Sequence, residues 1–268
     1  MYRFLLRPRW IALVIIVALL VAVFVQLGRW QLHRLDDRRA HNAVITTNSS
    51  AAAKPLDTVL APGRPVAAGQ EWTRVSARGR YDGSHQILVR YRSQGGEPGF
   101  NVLSPLVTSR GAAVLVNRGW VPRTASVQAP EPPAVPSGEV RVLGRVRPSE
   151  AADPGTGAPR DGQVRFIDVE QIAAHLPYPV VGGYLELIEP PGAGQASGSS
   201  PRVLPPPELS EGPHLAYAVQ WFLFALIAVL GVGFLAYDEA HDGRLRTRIR
   251  TAERGPRPVP AGDRSRPE

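Results

Sequence analysis

The sequence predicts a membrane protein in which two transmembrane helices flank an extracytoplasmic, antiparallel β-rich domain of the α+β class. Three observations support this fold class. Two long apolar runs lie near the ends of the 268-residue chain, and the segment between them alternates apolar and polar residues with a period of two. Arginines also cluster directly after the second run.

The first apolar run covers residues 10–28 and is long enough to cross about 30 Å of hydrocarbon as a helix. A cleaved signal peptide is the alternative interpretation, but its apolar core is shorter and a small-x-small cleavage site follows it. Here the sequence LGRWQ follows at residues 27–31 and offers no such site. We therefore expect an uncleaved anchor, with residues 1–9 as a cytoplasmic N-terminus.

The second run covers residues 214–237, and after its initial histidine Gln220 is its only strongly polar side chain. Arginines follow it at four alternate positions, Arg244, Arg246, Arg248 and Arg250. Because positive charge accumulates on the cytoplasmic side of a span, we expect the basic tail, residues 238–268, to lie disordered in the cytoplasm. Two spans then place the N-terminus there too and residues 29–213 outside, in a plasma-membrane protein.

The segment between the runs is organised as strands separated by turns rich in Gly, Asp and Ser. We expect residues 29–42 to continue the first helix beyond the membrane, residues 168–175 to form a short helix, and residues 191–212 to form a Pro/Gly-rich linker. The predicted strands are 71–81, 86–91, 100–107, 113–121, 139–147 and 183–188.

Composition excludes several classes of function. The chain has no Cys and its one Met is Met1, which excludes disulfides, Cys zinc sites, iron–sulfur clusters and thiol-based copper transfer. The net charge of +8 is spread along the chain without a dense basic block, so we do not expect nucleic-acid binding. No hydrolase, P-loop or dinucleotide-binding motif is present, and we predict that the protein is not an enzyme.

The start of the second span combines a histidine with aromatic residues. At about 100° per residue, His214, Tyr217 and Trp221 share one face of a helix. This geometry suits a haem, since the imidazole would bind the iron and the aromatic rings would pack on the macrocycle. An interfacial aromatic belt with a solvated histidine is the alternative. His33, after the first span, is a weaker candidate for a second axial ligand, and polar exposure explains its position equally well.

The strand predicted at 113–121 ends in the sequence NRGWVP at residues 117–122. Arg118 is suited to bind a carboxylate or propionate through two parallel hydrogen bonds. Gly119 and Pro122 have structural explanations, a close backbone approach and the end of a strand ladder. Trp120 either packs against a ligand or fills the interior of the domain.

These segments together resemble the surfeit-locus-one family of cytochrome oxidase assembly factors. The resemblance covers residues 10–237 and rests on four motifs in family order: LGRWQ at 27–31, GFNVLSPL at 99–106, VLVNRGWVP at 114–122 and HLAYAVQWF at 214–222. The chain departs from the family pattern before the last motif, where EGP at 211–213 replaces the asparagines that family members often have.

The resemblance implies an assembly factor for an aa3-type cytochrome c oxidase that helps to deliver haem a to, or stabilises, the large subunit. It implies His214 as the haem iron ligand. The residue patterns above make Tyr217, Trp221, Arg118 and Trp120 the further candidate haem a contacts. The implied partners are cytochrome c oxidase subunits, the haem a synthesis machinery and membrane lipid. Two alternatives stay open: a haem-free structural scaffold of the oxidase, and a membrane-tethered sensor or binding module.

Overall fold

The computed structural model describes residues 3–124, 129–189 and 200–241, and these form two units. One unit, the helix pair, comprises Met1–Arg39 and Glu211–Glu268; the other, the β unit, comprises Ala40–Ser210. Residues 242–268 of the predicted cytoplasmic tail and residues 191–199 of the predicted linker lie outside the described residues.

The described residues form three α-helices: α1 (Pro8–Ser50), α2 (Val169–Ala173) and α3 (His214–Ala240). A 3-10 turn, Arg3–Leu6, precedes α1. Helix α1 is longer than the sequence predicts, because neither Gly nor Pro occurs between Gly28 and Pro55 to end it. Both α1 and α3 contain a stretch long and apolar enough to cross a membrane.

The two helices of the helix pair run antiparallel and contact each other through one narrow seam. An ion pair joins Arg9 near the start of α1 to Glu239 near the end of α3 at 2.8 Å. Gly28 makes a close approach possible, since a Cβ there would lie 2.7 Å from the ring of Phe222. Buried and half-buried residues recur in steps of three and four, as in coiled coils. They include Trp10, Leu13, Val17, Val21, Phe24, Gly28, Gln31 and Leu35 on α1, and His214, Ala218, Trp221, Ala225, Ala228, Val232, Leu235 and Asp238 on α3.

The β unit contains all six predicted strands and two further strands of two residues each. The strands are β1 (Lys54–Pro55), β2 (Arg74–Tyr81), β3 (Ile87–Gln94), β4 (Glu97–Thr108), β5 (Ala113–Pro122), β6 (Glu139–Arg147), β7 (Gln163–Val164) and β8 (Val180–Glu189). The last turn of α1 belongs to this unit too, where Asn48 donates hydrogen bonds to the carbonyls of Gly69 and Glu71.

The strands form one sheet in the order β1-β2-β6-β8-β5-β4-β3-β7, and β2 also pairs with β4. That extra pairing closes β2, β6, β8, β5 and β4 into a barrel. Strand β4 is long enough to serve two neighbours along one edge: residues 97–103 pair with β3, and residues 106–108 pair with β2. Most pairs are antiparallel, as the fold class predicts, whereas β1–β2, β3–β7 and β5–β8 are parallel.

Strand β5 lies at the centre of the fold and is buried on both faces. Val114 and Val116 point into the barrel core, which all five barrel strands line. Leu115 points the other way and joins a second core with Ile167 and Ile172, under α2. Burial on both faces explains why residues 113–116 form an unbroken apolar run rather than an alternating one. The prediction of an α+β domain between two membrane helices is confirmed.

Candidate functional site

His214 is the first residue of α3, and its Nδ1 lies 2.8 Å from Oε1 of Gln31 on α1. An amide oxygen can only accept, so Nδ1 donates to it, and in the neutral imidazole the lone pair then lies on Nε2. This neutral tautomer, held by an acceptor on its second nitrogen, is the form in which histidine binds metal ions. The sequence places Gln31 in a motif but gives it no role. The available signal was its position seven residues after Phe24, on the same face of α1.

The turn before α3 places Gly212 beside the Nε2 edge of the imidazole. A Cβ added to Gly212 would lie 3.4 Å from both Nε2 and Cδ2 of His214, so any longer side chain there would lie against that edge. The preceding residue, Glu211, accepts two hydrogen bonds of 3.0 Å from Arg39. These bonds raise the pKa of Arg39 and lower that of Glu211. The turn is therefore fixed to α1 by a two-point ion pair.

Below the histidine, an aromatic cluster joins the two helices. Trp221 stacks on Phe24 with ring centroids 5.8 Å apart and an angle of 25° between the planes, and Phe224 lies 5.8 Å from both rings. Tyr217 is less enclosed, with 46% of its surface exposed. The structure thus brings His214 and Trp221 to the seam of the helix pair and leaves a flat, accessible ring between them at Tyr217.

His33 does not join this group. It is exposed, and it follows Gln31 by two residues, which places it about 200° away around α1. Trp30, near it in sequence, is 53% exposed as well. The sequence left two explanations open for His33, a second axial ligand and an exposed polar side chain. In the structure, His33 is an exposed polar side chain that faces away from α3.

Comparison with known proteins identifies the family. A sequence model described as the SURF1 family matches residues 18–226, a range that includes all four motifs. The chain belongs to the SURF1 family. Uncharacterized SURF1-like proteins of Mycobacterium tuberculosis and Mycobacterium bovis are 36% identical over 247 residues, which are 90% of this chain and 88% of theirs. Surfeit locus protein 1 of Takifugu rubripes is 30% identical over 144 residues, or 48% of this chain and 58% of its own.

In this SURF1 protein, Arg118 has partners inside the β unit. The residue is 8% exposed, and its guanidinium donates to the carbonyl oxygens of Pro133 and Ala134 and to Oε1 of Gln86, at 2.8–2.9 Å. It also lies 5.6 Å from the centre of the Tyr81 ring. Burial lowers the pKa of Arg118. Arg118 therefore fastens the proline-rich loop before β6 to the barrel, and its donors are used by protein carbonyls rather than offered to a propionate.

The rest of the same motif fastens a second segment. Trp120 is fully buried, and its backbone exchanges hydrogen bonds of 2.7 and 2.8 Å with Arg202. Gly119 allows this approach, since its φ is +131° and a Cβ there would lie 2.3 Å from the Arg202 carbonyl oxygen. Trp120 was predicted either to pack against a ligand or to fill the interior of the domain, and in the structure it fills the interior. Arg118 and Trp120 are therefore left out of the haem site that we propose.

The helix-pair residues fit a haem better than a bare metal ion. Within the described ranges, no three His, Asp or Glu side chains lie together in a group that could hold a metal. A haem needs only one or two axial ligands from the protein, because the macrocycle supplies the others. His214 has the required tautomer, and Tyr217 and Trp221 supply aromatic surface on the same side of α3.

Proposed function

We propose that this SURF1-family protein is an assembly factor for an aa3-type cytochrome c oxidase, and that it assists haem a delivery to, or stabilisation of, the large oxidase subunit. The family supports the oxidase. The hydrogen bond between His214 and Gln31 supports haem binding, because it favours the tautomer in which Nε2 can act as a ligand at the start of α3. The haem a synthesis machinery and membrane lipid are the further partners that we propose.

The chain contributes binding and orientation, and haem a is its cargo. His214 would hold the iron through Nε2, Gln31 would keep the imidazole in the required tautomer, and the accessible ring of Tyr217 would lie against the macrocycle. Phe24 holds Trp221 in place from the other helix. No step in this role requires a catalytic residue, in keeping with a family of assembly factors.

A spectrum of the purified protein tests the haem role. The full chain, co-expressed with the haem a pathway and purified in detergent, is expected to carry substoichiometric haem. We expect His214→Ala to abolish the copurified haem while the protein still inserts into the membrane. Gln31→Leu should weaken retention about 10- to 100-fold, as does the loss of other groups that orient metal ligands. Trp221→Ala should weaken retention as well, since it removes a large aromatic contact.

His33→Ala is the matched control, since it removes an exposed histidine from the other side of α1. Wild-type haem content and an unchanged Soret band in His214→Ala would refute the axial role and leave the aromatic-belt interpretation. Absence of haem from the wild-type protein would favour a haem-free scaffold of the oxidase. Normal oxidase levels in a deletion strain would favour a sensor or binding module. A deletion strain should lose assembled aa3 oxidase and keep any bd-type oxidase.

The orientation that we propose places both termini in the cytoplasm and the β unit outside, in the plasma membrane. The arginines after the second span support it. A cysteine at the exposed Ser93 should react with an impermeant thiol reagent in intact cells, and a cysteine at Ser265 should react only after lysis. The chain has no cysteine of its own, so each label reports one site. The reverse pattern would overturn the orientation.

A further inference from the structure

Two adjoining depressions beside β3 form one cleft on the β unit. They share Arg90 and Gln163 and have volumes of about 580 and 220 Å³. Among the described residues, five arginines line the cleft and no acidic residue does. The five, which we call the arginine cleft, are Arg90, Arg92, Arg123, Arg160 and Arg165.

Most of this charge is uncompensated. Arg92 forms an ion pair with Glu150 at 2.6 Å. In the described ranges, the other four arginines have no carboxylate within 4.0 Å, and all four are exposed. The nearby Glu97 pairs with Arg202 instead. A concave surface lined by one sign of charge concentrates the electrostatic potential and attracts an oppositely charged ligand.

Tyr91 lines the larger depression of the cleft and has a strained backbone conformation. Tyr91 has a φ of +60°, although its side chain is 77% exposed. It lies in a β-bulge, where the pairing of β3 with β4 shifts register between Val89 and Arg92. A bulky residue rarely adopts this backbone conformation, and an exposed ring gives folding little in return. Bulges often re-aim a side chain beside a functional site.

The ring is also prepared for contact by the charges around it. The guanidinium carbons of Arg90 and Arg165 lie 5.5 and 5.6 Å from the centre of the Tyr91 ring, within cation–π distance. These contacts hold the ring among the arginines instead of against the core. An exposed aromatic surrounded by guanidinium groups is the combination that dominates binding energy at protein–protein interfaces.

We infer that the arginine cleft binds an acidic polypeptide segment of a partner protein. Carboxylates of the segment would pair with the four uncompensated arginines, and an apolar part of the segment would pack on Tyr91. A flat anionic bilayer is a poorer match, since a concave site receives a protruding ligand rather than a plane. This inference does not depend on haem binding, because none of its residues belongs to the helix pair.

The test measures binding of a fluorescein-labelled peptide of alternating glutamate and serine with one central phenylalanine to the full chain in phosphatidylcholine nanodiscs. We expect saturable binding that weakens with salt, and a loss of about tenfold or more in affinity for the double variant Arg90→Gln/Arg165→Gln. The matched control is Arg78→Gln/Arg141→Gln, which removes the same charge from two exposed arginines that face each other on β2 and β6. Its affinity should stay within about twofold of wild type.

Tyr91→Gly separates binding from folding. Glycine accepts the positive φ without strain, so the Tm should be unchanged or higher, while peptide affinity falls about fivefold with the lost aromatic contact. Absence of salt-dependent peptide binding in wild type would overturn the inference. Equal losses of peptide affinity in the two double variants would show that only the net charge of the protein matters, and would overturn the inference too. So would flotation with phosphatidylglycerol vesicles that depends on Arg90 and Arg165 without peptide binding, since a membrane would then be the partner.

Discussion

The helix pair and the β unit bury their apolar side chains to very different degrees. In the β unit, residues such as Val75, Leu103 and Val116 are completely enclosed. In the helix pair, Leu19 and Ile227 are more than 60% exposed, and many of the other large apolar side chains are about half exposed. The β unit can therefore be stable in water through its own core, whereas the helix pair requires hydrocarbon around it.

The same contrast separates the two most specific family motifs. In the β-strand motif, Arg118 and Trp120 have buried partners, and the fold accounts for both. In the α3 motif, the fold accounts for Trp221 through its stack on Phe24. The imidazole of His214 has one hydrogen bond, through Nδ1, and none through Nε2 among the described residues. A motif residue whose polar groups all have partners within the fold stabilises the protein. A motif residue with a polar group that lacks a partner is a better candidate for function.

Among the variants that test this comparison, Trp120→Ala should have the largest effect on stability. Removing a completely buried tryptophan leaves a cavity in the β unit and should cost about 3–5 kcal/mol of unfolding free energy. Trp30→Ala is the control from the helix pair, where the ring is 53% exposed and its loss should have a small effect. Urea unfolding of the full chain in detergent, followed by tryptophan fluorescence, measures both. Equal losses would show that the β unit does not depend on its core in the way described.

Next in size is Arg118→Met, which leaves the carbonyls of Pro133 and Ala134 without their donors. Loss of these hydrogen bonds from a charged, buried guanidinium should cost about 1.5–3 kcal/mol in total. Hydrogen exchange should speed up in the proline-rich loop before β6 and change little in β2. Arg123→Met, which removes an exposed arginine just after β5, is the control and should leave exchange unchanged. A wild-type exchange pattern in Arg118→Met would assign the arginine to a ligand instead of the loop.

The third prediction concerns how the stability of the β unit depends on pH at Asp82. Burial raises the pKa of Asp82, but hydrogen bonds from Ser84, Tyr178 and His85 outweigh burial and hold the pKa well below its ordinary 3.8. A carboxylate with a lowered pKa stabilises the fold above its unfolded pKa, and this contribution disappears as pH falls through the folded value. Asp82→Asn should therefore cost about 1 kcal/mol at neutral pH and progressively less below about pH 4. Thermal unfolding from pH 7 to pH 2 measures the difference.

Tyr178→Phe is the companion variant, because it removes one of the hydrogen bonds to Asp82 and leaves the carboxylate in place. It should show a smaller cost with the same pH trend. A cost for Asp82→Asn that stays constant over the whole pH range would mean that the charge of Asp82 contributes nothing.

The smallest effect belongs to the helix pair. Arg39 and Glu211 form a two-point ion pair, but both side chains are about half exposed and screened by solvent. Arg39→Gln and Glu211→Gln should leave the Tm unchanged at physiological salt. A clear fall in Tm would show that the turn before α3 supports the stability of the helix pair as well as the position of His214.

Local patterns were enough to predict the strands and both spans. Strand β6 has the predicted bounds, 139–147, because its period-two alternation is regular and turn residues border it. Strands β1 and β7 have two residues each, too few for any periodicity. Closure of the barrel depends on a register between β2 and β4, and no local signal fixes a pairing between distant segments.

The candidate site was predictable in part for the same reason. His214 and Trp221 share a helix face, which spacing reveals. Gln31 lies 183 positions before its histidine, so their hydrogen bond depends on how two helices meet. Arg118 was expected to bind an acidic ligand group, but the loop that returns at Pro133 offers carbonyl oxygens that satisfy the same donors. Sequence shows which groups are available, and only the fold shows which of them meet.

The backbone bonds between Trp120 and Arg202 have a practical consequence for handling the protein. Strand β8 is fixed through Glu189, which pairs with Leu143, and the chain is fixed again at Arg202. Between these two points, doubling the length of the connection would cost only about 0.6 kcal/mol of closure entropy. An affinity tag or a fluorescent reporter inserted between them would therefore leave the barrel intact, and would mark the protein without altering either terminus.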